Sequence, residues 1–175
     1  MSQPCNSGKG LHATVPAQDA HSGASNGRFA ADRMLARLAR WMRLLGADTI
    51  FDPRLDGAAM LHRARAEGRI MLTRDKRFKT ARDAIVLESN DFRGQLRELT
   101  ERAPFDRGRA LTRCSHCNAL LAPVDRELVR RRVPPYVYAS NERFAECPNC
   151  GHIYWDATHP ARMAAELAVI FLPLA

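Results

Sequence analysis

Gly68-Arg69-Ile70-Met71-Leu72-Thr73-Arg74-Asp75 is the stretch on which the fold turns. A short apolar run bounded by a glycine and a charged pair reads as a buried strand. Asp75 stands at its carboxyl end. Gly68 also stops a preceding helix, which Asp56 begins and which runs to about residue 67. Downstream, residues 84–87 make a fourth strand, and Asp91 caps a helix carrying Phe92, Leu96 and Leu99. Upstream, Asp48-Thr49-Ile50-Phe51 is a strand ended by Asp52-Pro53, and Arg28-Phe29-Ala30-Ala31 is a shorter first one. Between those two, Met34, Leu38, Trp41 and Leu45 recur at helical spacing, with Leu35 and Met42 widening the face. Asp32 can cap this helix, and Gly46 sits where a left-handed C-cap is expected. Arg33, Arg37, Arg40 and Arg43 fall on the other side of the wheel.

Strand, helix, strand, helix, strand implies an α/β unit with parallel pairing and right-handed crossovers. Such sheets bind ligands at the carboxyl ends of their strands. Asp32, Asp52 and Asp75 sit at those ends, with Asp56 nearby. Clustered carboxylates repel, so a cluster at Asp32, Asp56 and Asp75 calls for a cation. Hard oxygen ligands suit Mg²⁺ or Mn²⁺, held chiefly by Asp32 and Asp75. An ion there could activate water and stabilise charge on a phosphate. Arg33, Arg37, Arg40 and Arg74 are the candidates for positioning the phosphodiester. Each residue also has a plainer reading. Asp32, Asp56 and Asp91 can be helix caps, Asp75 can pair with Arg74, and the arginine stripe can be a solvated face.

Cys114, Cys117, Cys147 and Cys150 form two Cys-x2-Cys pairs separated by 29 residues. Each pair is a tight knuckle presenting two sulfurs, and two knuckles complete the tetrahedral shell of structural zinc. The long gap leaves room for a hairpin or insertion. His116 and His152 could substitute as ligands, but four cysteines already fill the shell. An iron–sulfur cluster could use the same residues; the polar, turn-rich segment between the knuckles favours zinc. Tyr136, Tyr154 and Trp155 suit the small core of this module, or anchors for a docking partner. Cys5 stands alone.

Of the 175 residues, Lys and Arg outnumber Asp and Glu by 27 to 19, a formal charge of +8 that favours a polyanionic partner such as nucleic acid. Most of the cations are Arg, which suits phosphate geometrically. No secretory signal is visible, and the apolar run at residues 167–174 is too short to span a bilayer. The expectation is a cytoplasmic protein with no membrane association, where paired cysteines hold metal rather than form disulfides. The organisation expected is a flexible extension at 1–27, an α/β domain at 28–104, a zinc-ribbon module at 105–160, and a C-terminal helix and tail at 161–175.

Four segments together resemble the Mut-seven C-terminal RNase domain family, a branch of the PIN-like nucleases. They are the stretch 28–46, the Gly68 to Asp75 motif, Arg113-Cys114-Ser115-His116-Cys117-Asn118, and Cys147-Pro148-Asn149-Cys150-Gly151-His152-Ile153-Tyr154-Trp155. The resemblance implies a PIN-like three-layer α/β/α sandwich with a mostly parallel sheet and a small C-terminal zinc ribbon. It implies metal-dependent hydrolysis of single-stranded RNA. Asp32 matches the acid after the first strand, Asp75 the acid of the Thr-Arg-Asp motif, and Asp56 an acid at the start of the second helix. Relatives often carry Gly-Ser-His after the Tyr-Trp pair; this chain has Asp156-Ala157-Thr158-His159. Some relatives carry an N-terminal ubiquitin-like domain, which the short tail here cannot be. Two other functions fit the same features: a non-catalytic RNA-binding zinc-ribbon module, or a docking element of an RNA-processing complex.

Overall fold

The computed structural model describes residues 27–103 and 106–155. The expected extension at 1–27 (Gly27 excepted), the closing helix near 161–170, Cys5 and His159 lie outside them.

Four short strands, β1 (Arg28–Ala31), β2 (Asp48–Phe51), β3 (Ile70–Thr73) and β4 (Ala84–Val86), form one sheet in the order β2-β1-β3-β4. Every pairing in it is parallel. Helix α1 (Ala36–Leu44) connects β1 to β2, and α2 (Gly57–Ala66) connects β2 to β3. Helix α3 (Phe92–Arg102) follows β4. Alternation along the strands sends successive side chains to opposite faces. Phe29, Ala31 and Leu72 therefore pack with Leu38 and Met42 of α1 and Leu96 and Leu99 of α3. Ala30 and Met71 pack with Met60 and Ala64 of α2 on the other face. Both faces are covered, which gives the three layers and explains the apolar continuity of β3. Each fully buried large side chain, such as Phe29, Leu38 or Leu72, adds about 1.5–3 kcal/mol.

The start of the first helix departs from its sequence reading. Residues Arg33–Leu35 wind as a 3₁₀ turn before α1 begins. At three residues per turn the phase advances faster than in an α-helix. Leu35 takes the inward position at 1% exposure, and Met34 swings out to 52%. Arg43, expected on the solvent face, is 5% exposed because the second unit of the chain covers that end of α1. Gly46 ends the helix in the left-handed region at φ +88°; a Cβ there would stand 2.2 Å from the Arg109 carbonyl oxygen.

That second unit is a three-stranded antiparallel sheet of β5 (Ala122–Val124), β6 (Phe144–Glu146) and β7 (Ile153–Trp155). The gap between the cysteine pairs holds two short helices, α4 (Arg126–Val129) and α5 (Pro135–Ser140). Its core is small: Val129, Val133, Val137 and Phe144, with Trp155 and Tyr138 against them. Tyr136 belongs to no core, being 74% exposed.

A buried polar seam joins the units at the amino ends of the strands. Arg43 donates from Nε to the Thr49 carbonyl at 2.7 Å and from Nη1 to the carbonyls of Ser115 and His116 at 3.2 and 2.7 Å. The Asp48 carboxylate accepts from Arg69 Nη1 and Asn118 Nδ2, both at 2.7 Å. Asn118 Oδ1 in turn accepts from the Thr49 amide at 3.0 Å. Burial works to raise the Asp48 carboxyl, but hydrogen bonds from Arg69 and Asn118 and the charges of Arg69 and Arg113 outweigh it and hold it below its ordinary value.

Asp48→Ala leaves the Arg69 guanidinium, 7% exposed, with Glu67 as its remaining carboxylate partner. Breaking such a pair costs about 3 kcal/mol. Urea unfolding at neutral pH reads this; a loss under about 1 kcal/mol contradicts it. A carboxyl lowered on folding stabilises fully above its unfolded value near ~3.9 and ceases to do so as pH falls through the folded value. The native chain therefore loses more stability on acidification below about pH 4 than the Asp48→Ala variant does.

Candidate functional site

The strand order reverses direction between β1 and β3, so their carboxyl ends flank the topological switch point where open α/β sheets bind ligands. Asp32 follows β1 directly and is 3% exposed. Its backbone amide donates to the Leu72 carbonyl at 2.9 Å, which extends the ladder by one step and fixes the carboxylate against β3. Its side chain makes no capping bond to the following turn. Instead Oδ2 accepts from the Thr73 hydroxyl at 2.7 Å. Capping does not explain Asp32.

Thr73 is fully buried and its hydroxyl has a second bond, accepting from the Asp75 amide at 3.0 Å. One hydroxyl thus ties the end of β1 to the loop after β3. Gly57, at the start of α2, brings a third element in: a Cβ built there would lie 3.7 Å from Asp32 Oδ2 and 2.8 Å from the Phe78 ring. The contact with the carboxylate is an ordinary one; the Phe78 ring is what a side chain at this position would strike.

The other two acids have local partners. Asp56 caps α2 by accepting from the Ala59 amide at 2.8 Å. Asp75 does not pair with Arg74. It accepts from the amide of Arg77 at 3.0 Å, and its Oδ2 accepts from the Arg77 guanidinium at 2.6 Å. Those hydrogen bonds, side chain first, hold the Asp75 carboxyl below the ordinary carboxylate range. The Arg77 charge also senses Asp56. Asp52 pairs with Arg54 and is lowered to about 2 by hydrogen bonds from that residue. Asp91 is a cap, accepting from the amides of Arg93 and Gly94.

The four arginines singled out in the sequence do not converge on one point. Arg33, Arg37 and Arg40 are exposed along the first helix. Arg37 lies over the Phe92 ring at 3.9 Å, and Arg40 faces the second unit. Arg74 hydrogen-bonds to Asn90, and its Nε is buried with no partner.

Among the described residues, the four cysteines are the one group that brings three or more His, Cys, Asp or Glu ligand atoms within 4.8 Å of one another. Neighbouring sulfurs stand 3.3, 3.5 and 3.7 Å apart. A tetrahedral shell with Zn–S near ~2.3 Å has edges of roughly 3.8 Å, so the cluster is already of the right size. Burial works to raise Cys114, but the Tyr154 hydroxyl, donating at 3.2 Å, and backbone amides outweigh it and hold the thiol down to about 6. Cys117, by contrast, is pushed up to about 12 by burial and by its sulfur neighbours. Four sulfurs packed this closely cannot all ionise without a cation, and a structural metal ion such as zinc resolves that conflict. The Arg43 guanidinium beside Cys114 and Cys117 is favoured by a net negative metal–thiolate centre, although burial lowers its pKa overall.

A parallel sheet with a buried carboxylate at its switch point, carrying a four-cysteine cluster able to hold a metal, defines an α/β protein with an appended ribbon. The chain belongs to the Mut7-C RNAse domain family, whose profile matches residues 27–167. No curated protein and no solved structure matches it. The membership points to RNA as the substrate. No helix among the described residues is long and apolar enough to cross a membrane.

Sequence reasoning missed Thr73, Gly57 and Arg77 as parts of this corner. Thr73 was visible as the polar residue closing an apolar strand, and Arg77 as the second arginine of Arg74-Asp75-Lys76-Arg77. Nothing local marked Gly57, because its role depends on β1 and Phe78.

Proposed function

We propose that the protein hydrolyses phosphodiester bonds of single-stranded RNA at the carboxyl edge of the parallel sheet, with a divalent cation held by Asp32 and Asp75 and assisted by Asp56. The observation that carries this is Asp32: a carboxylate 3% exposed, not a cap, fixed by strand pairing at the switch point. Burying an ionised carboxylate is costly without a compensating cation or hydrogen bonds. Thr73 supplies one such bond, to Oδ2. The donors fit hard-cation chemistry in kind, being carboxylate oxygens. Mg²⁺ or Mn²⁺ bound here would supply Lewis acidity and an activated water.

The chain's own residues do the rest. Thr73 orients Asp32. Arg77 neutralises Asp75, and were a cation to take over that carboxylate its exposed guanidinium would be available to a phosphate oxygen. Arg33 and Arg37, on the adjoining helix, guide the strand, and Arg74 steadies the loop through Asn90. We assign the α/β unit at 28–104 the chemistry, and the ribbon, with zinc as its structural ion, support and substrate contact. Cleavage of single-stranded RNA by the zinc-loaded protein, with Mg²⁺ or Mn²⁺ added, tests the reading. Activity that survives in both Asp32→Asn and Asp75→Asn rules it out.

Thr73→Val offers a finer check. The isostere leaves Asp32 Oδ2 buried without its donor, so cleavage falls about tenfold, the effect of one lost hydrogen bond to a charged group. Thr73→Ser restores it. Equal activity in the Val and Ser variants removes Thr73 from the mechanism.

One observation favours a second reading. Asp56 and Asp75 are each satisfied within their own loops, and among the described residues no three carboxylates converge. A protein that binds RNA without cutting it would look like this. It predicts salt-sensitive binding with no metal-dependent turnover.

A further inference from the structure

A groove of about 600 Å³ opens between the second half of α1, residues 111–123 and the ribbon sheet. Its chemistry differs from that of the acidic edge. Arg40 and Arg143, both exposed, and Arg113 line it against the single acid Glu142. Arg113 is committed to Asp48 and the Asn118 carbonyl. The His116 and His152 rings project from the two cysteine knuckles into the same groove, with centroids 4.0 Å apart and planes tilted by 32°. The sulfurs complete a metal shell without them, so ligation does not explain why two imidazoles lie against each other at the surface. Phe144, Tyr154 and Trp155 add further rings to the lining.

Cations at the rim, aromatic faces within and apolar walls are the combination with which proteins hold unpaired nucleotides. A duplex buries its base faces in its own stack and has none to offer. The volume falls within the roughly 300–1,000 Å³ of small-ligand pockets, on the order of a nucleotide. The groove also has an approach. Helix α1 runs antiparallel to the strands, so its start adjoins Asp32 and its end adjoins the ribbon. Arg37 and Arg40 are exposed on α1 and Arg33 on the 3₁₀ turn that precedes it, so cations punctuate that path. They span about 10 Å.

We propose that the groove between α1 and the ribbon is a second binding site for single-stranded RNA, remote from the acidic edge. Phosphates lie at Arg40 and Arg143, and a base stacks on the His116–His152 pair. This rests on reading RNA as the substrate, but not on the chemistry at Asp32.

The test uses the full zinc-loaded chain carrying Asp32→Asn to prevent cleavage, with fluorescence anisotropy of a labelled oligouridylate and of an RNA duplex of equal length. Arg40→Glu weakens oligouridylate binding at least tenfold and lowers the slope of log affinity against log salt by about one. His152→Ala weakens it about tenfold, as expected for one lost stacking contact, and leaves the slope alone. Arg40→Lys keeps most of the affinity. Zinc content and melting temperature, measured in parallel, show that each variant is folded; if His152→Ala loses zinc, His152→Phe takes its place and retains binding. Variants that bind as tightly as their parent overturn the proposal, as does equal affinity for the duplex. If those variants bind normally while cleavage by the otherwise native chain still requires Asp32, the nuclease reading stands and the groove falls. Weakened binding in a chain that never cleaves gives the reverse.

Discussion

Stripping zinc from the four cysteines, or replacing Cys114 or Cys147 with Ser, unfolds the ribbon and leaves the parallel sheet standing. The ribbon's own core is four buried apolar side chains. So small a core does not hold a module of this length together by itself, and a structural metal at the four cysteines decides whether it folds. The sheet has its own apolar clusters on both faces and does not depend on the metal. A chelator therefore abolishes the near-ultraviolet signal of Tyr154 and Trp155. Amide exchange accelerates at Thr49, whose donor bond goes to Asn118, and stays slow at Leu87, bonded to Thr73 within the α/β unit. Metal-free protein that keeps its ribbon protected from exchange contradicts this.

Asp32→Asn reduces cleavage by about 10³-fold, the equivalent of roughly 4 kcal/mol. The substitution keeps the shape and an oxygen for the Thr73 hydroxyl. It removes the charge that would hold the cation. Melting temperature should change by no more than a few degrees and can rise, because a buried carboxylate is itself costly. Activity lost with the fold intact separates chemistry from stability. Cleavage within about threefold of the native rate removes Asp32 from the site. Asp56→Asn has a smaller effect, because that side chain is exposed and already serves α2 as a cap.

The order of strands and helices was legible because each element carried a local signal. The apolar run of β3, the helical spacing of Leu38, Trp41 and Leu45, and the caps Asp56 and Asp91 all behave as their chemistry dictates. The cysteine cluster was equally legible, since two knuckles leave little choice of geometry. What could not be read depended on partners distant in sequence. Asp32 looked like a cap because Asp before a helix usually is one; the Thr73 hydroxyl, 41 residues away, takes its side chain instead. Arg43 looked solvent-facing because nothing within its helix announces that residues 115 and 116 will cover it. Adjacency suggests Arg74 as the partner of Asp75, but the 3₁₀ turn after β3 brings Arg77 around to it. The apolar spacing points Met34 inward, because the 3₁₀ start of its helix leaves no trace in that spacing.

Arg43 also governs which ribbons this sheet can accept. Its guanidinium takes two of its acceptors from carbonyls inside the first cysteine knuckle, at a position with almost no access to water. A ribbon grafted from another protein would have to offer carbonyls at the same two points, or leave a cation stranded. Asn118 sets a second condition, because it reads Asp48 and Thr49 together. The two halves are thus matched like a key cut for one lock. Chimaeras that exchange ribbons should fold only when Arg43, Asp48 and Asn118 travel with their counterparts.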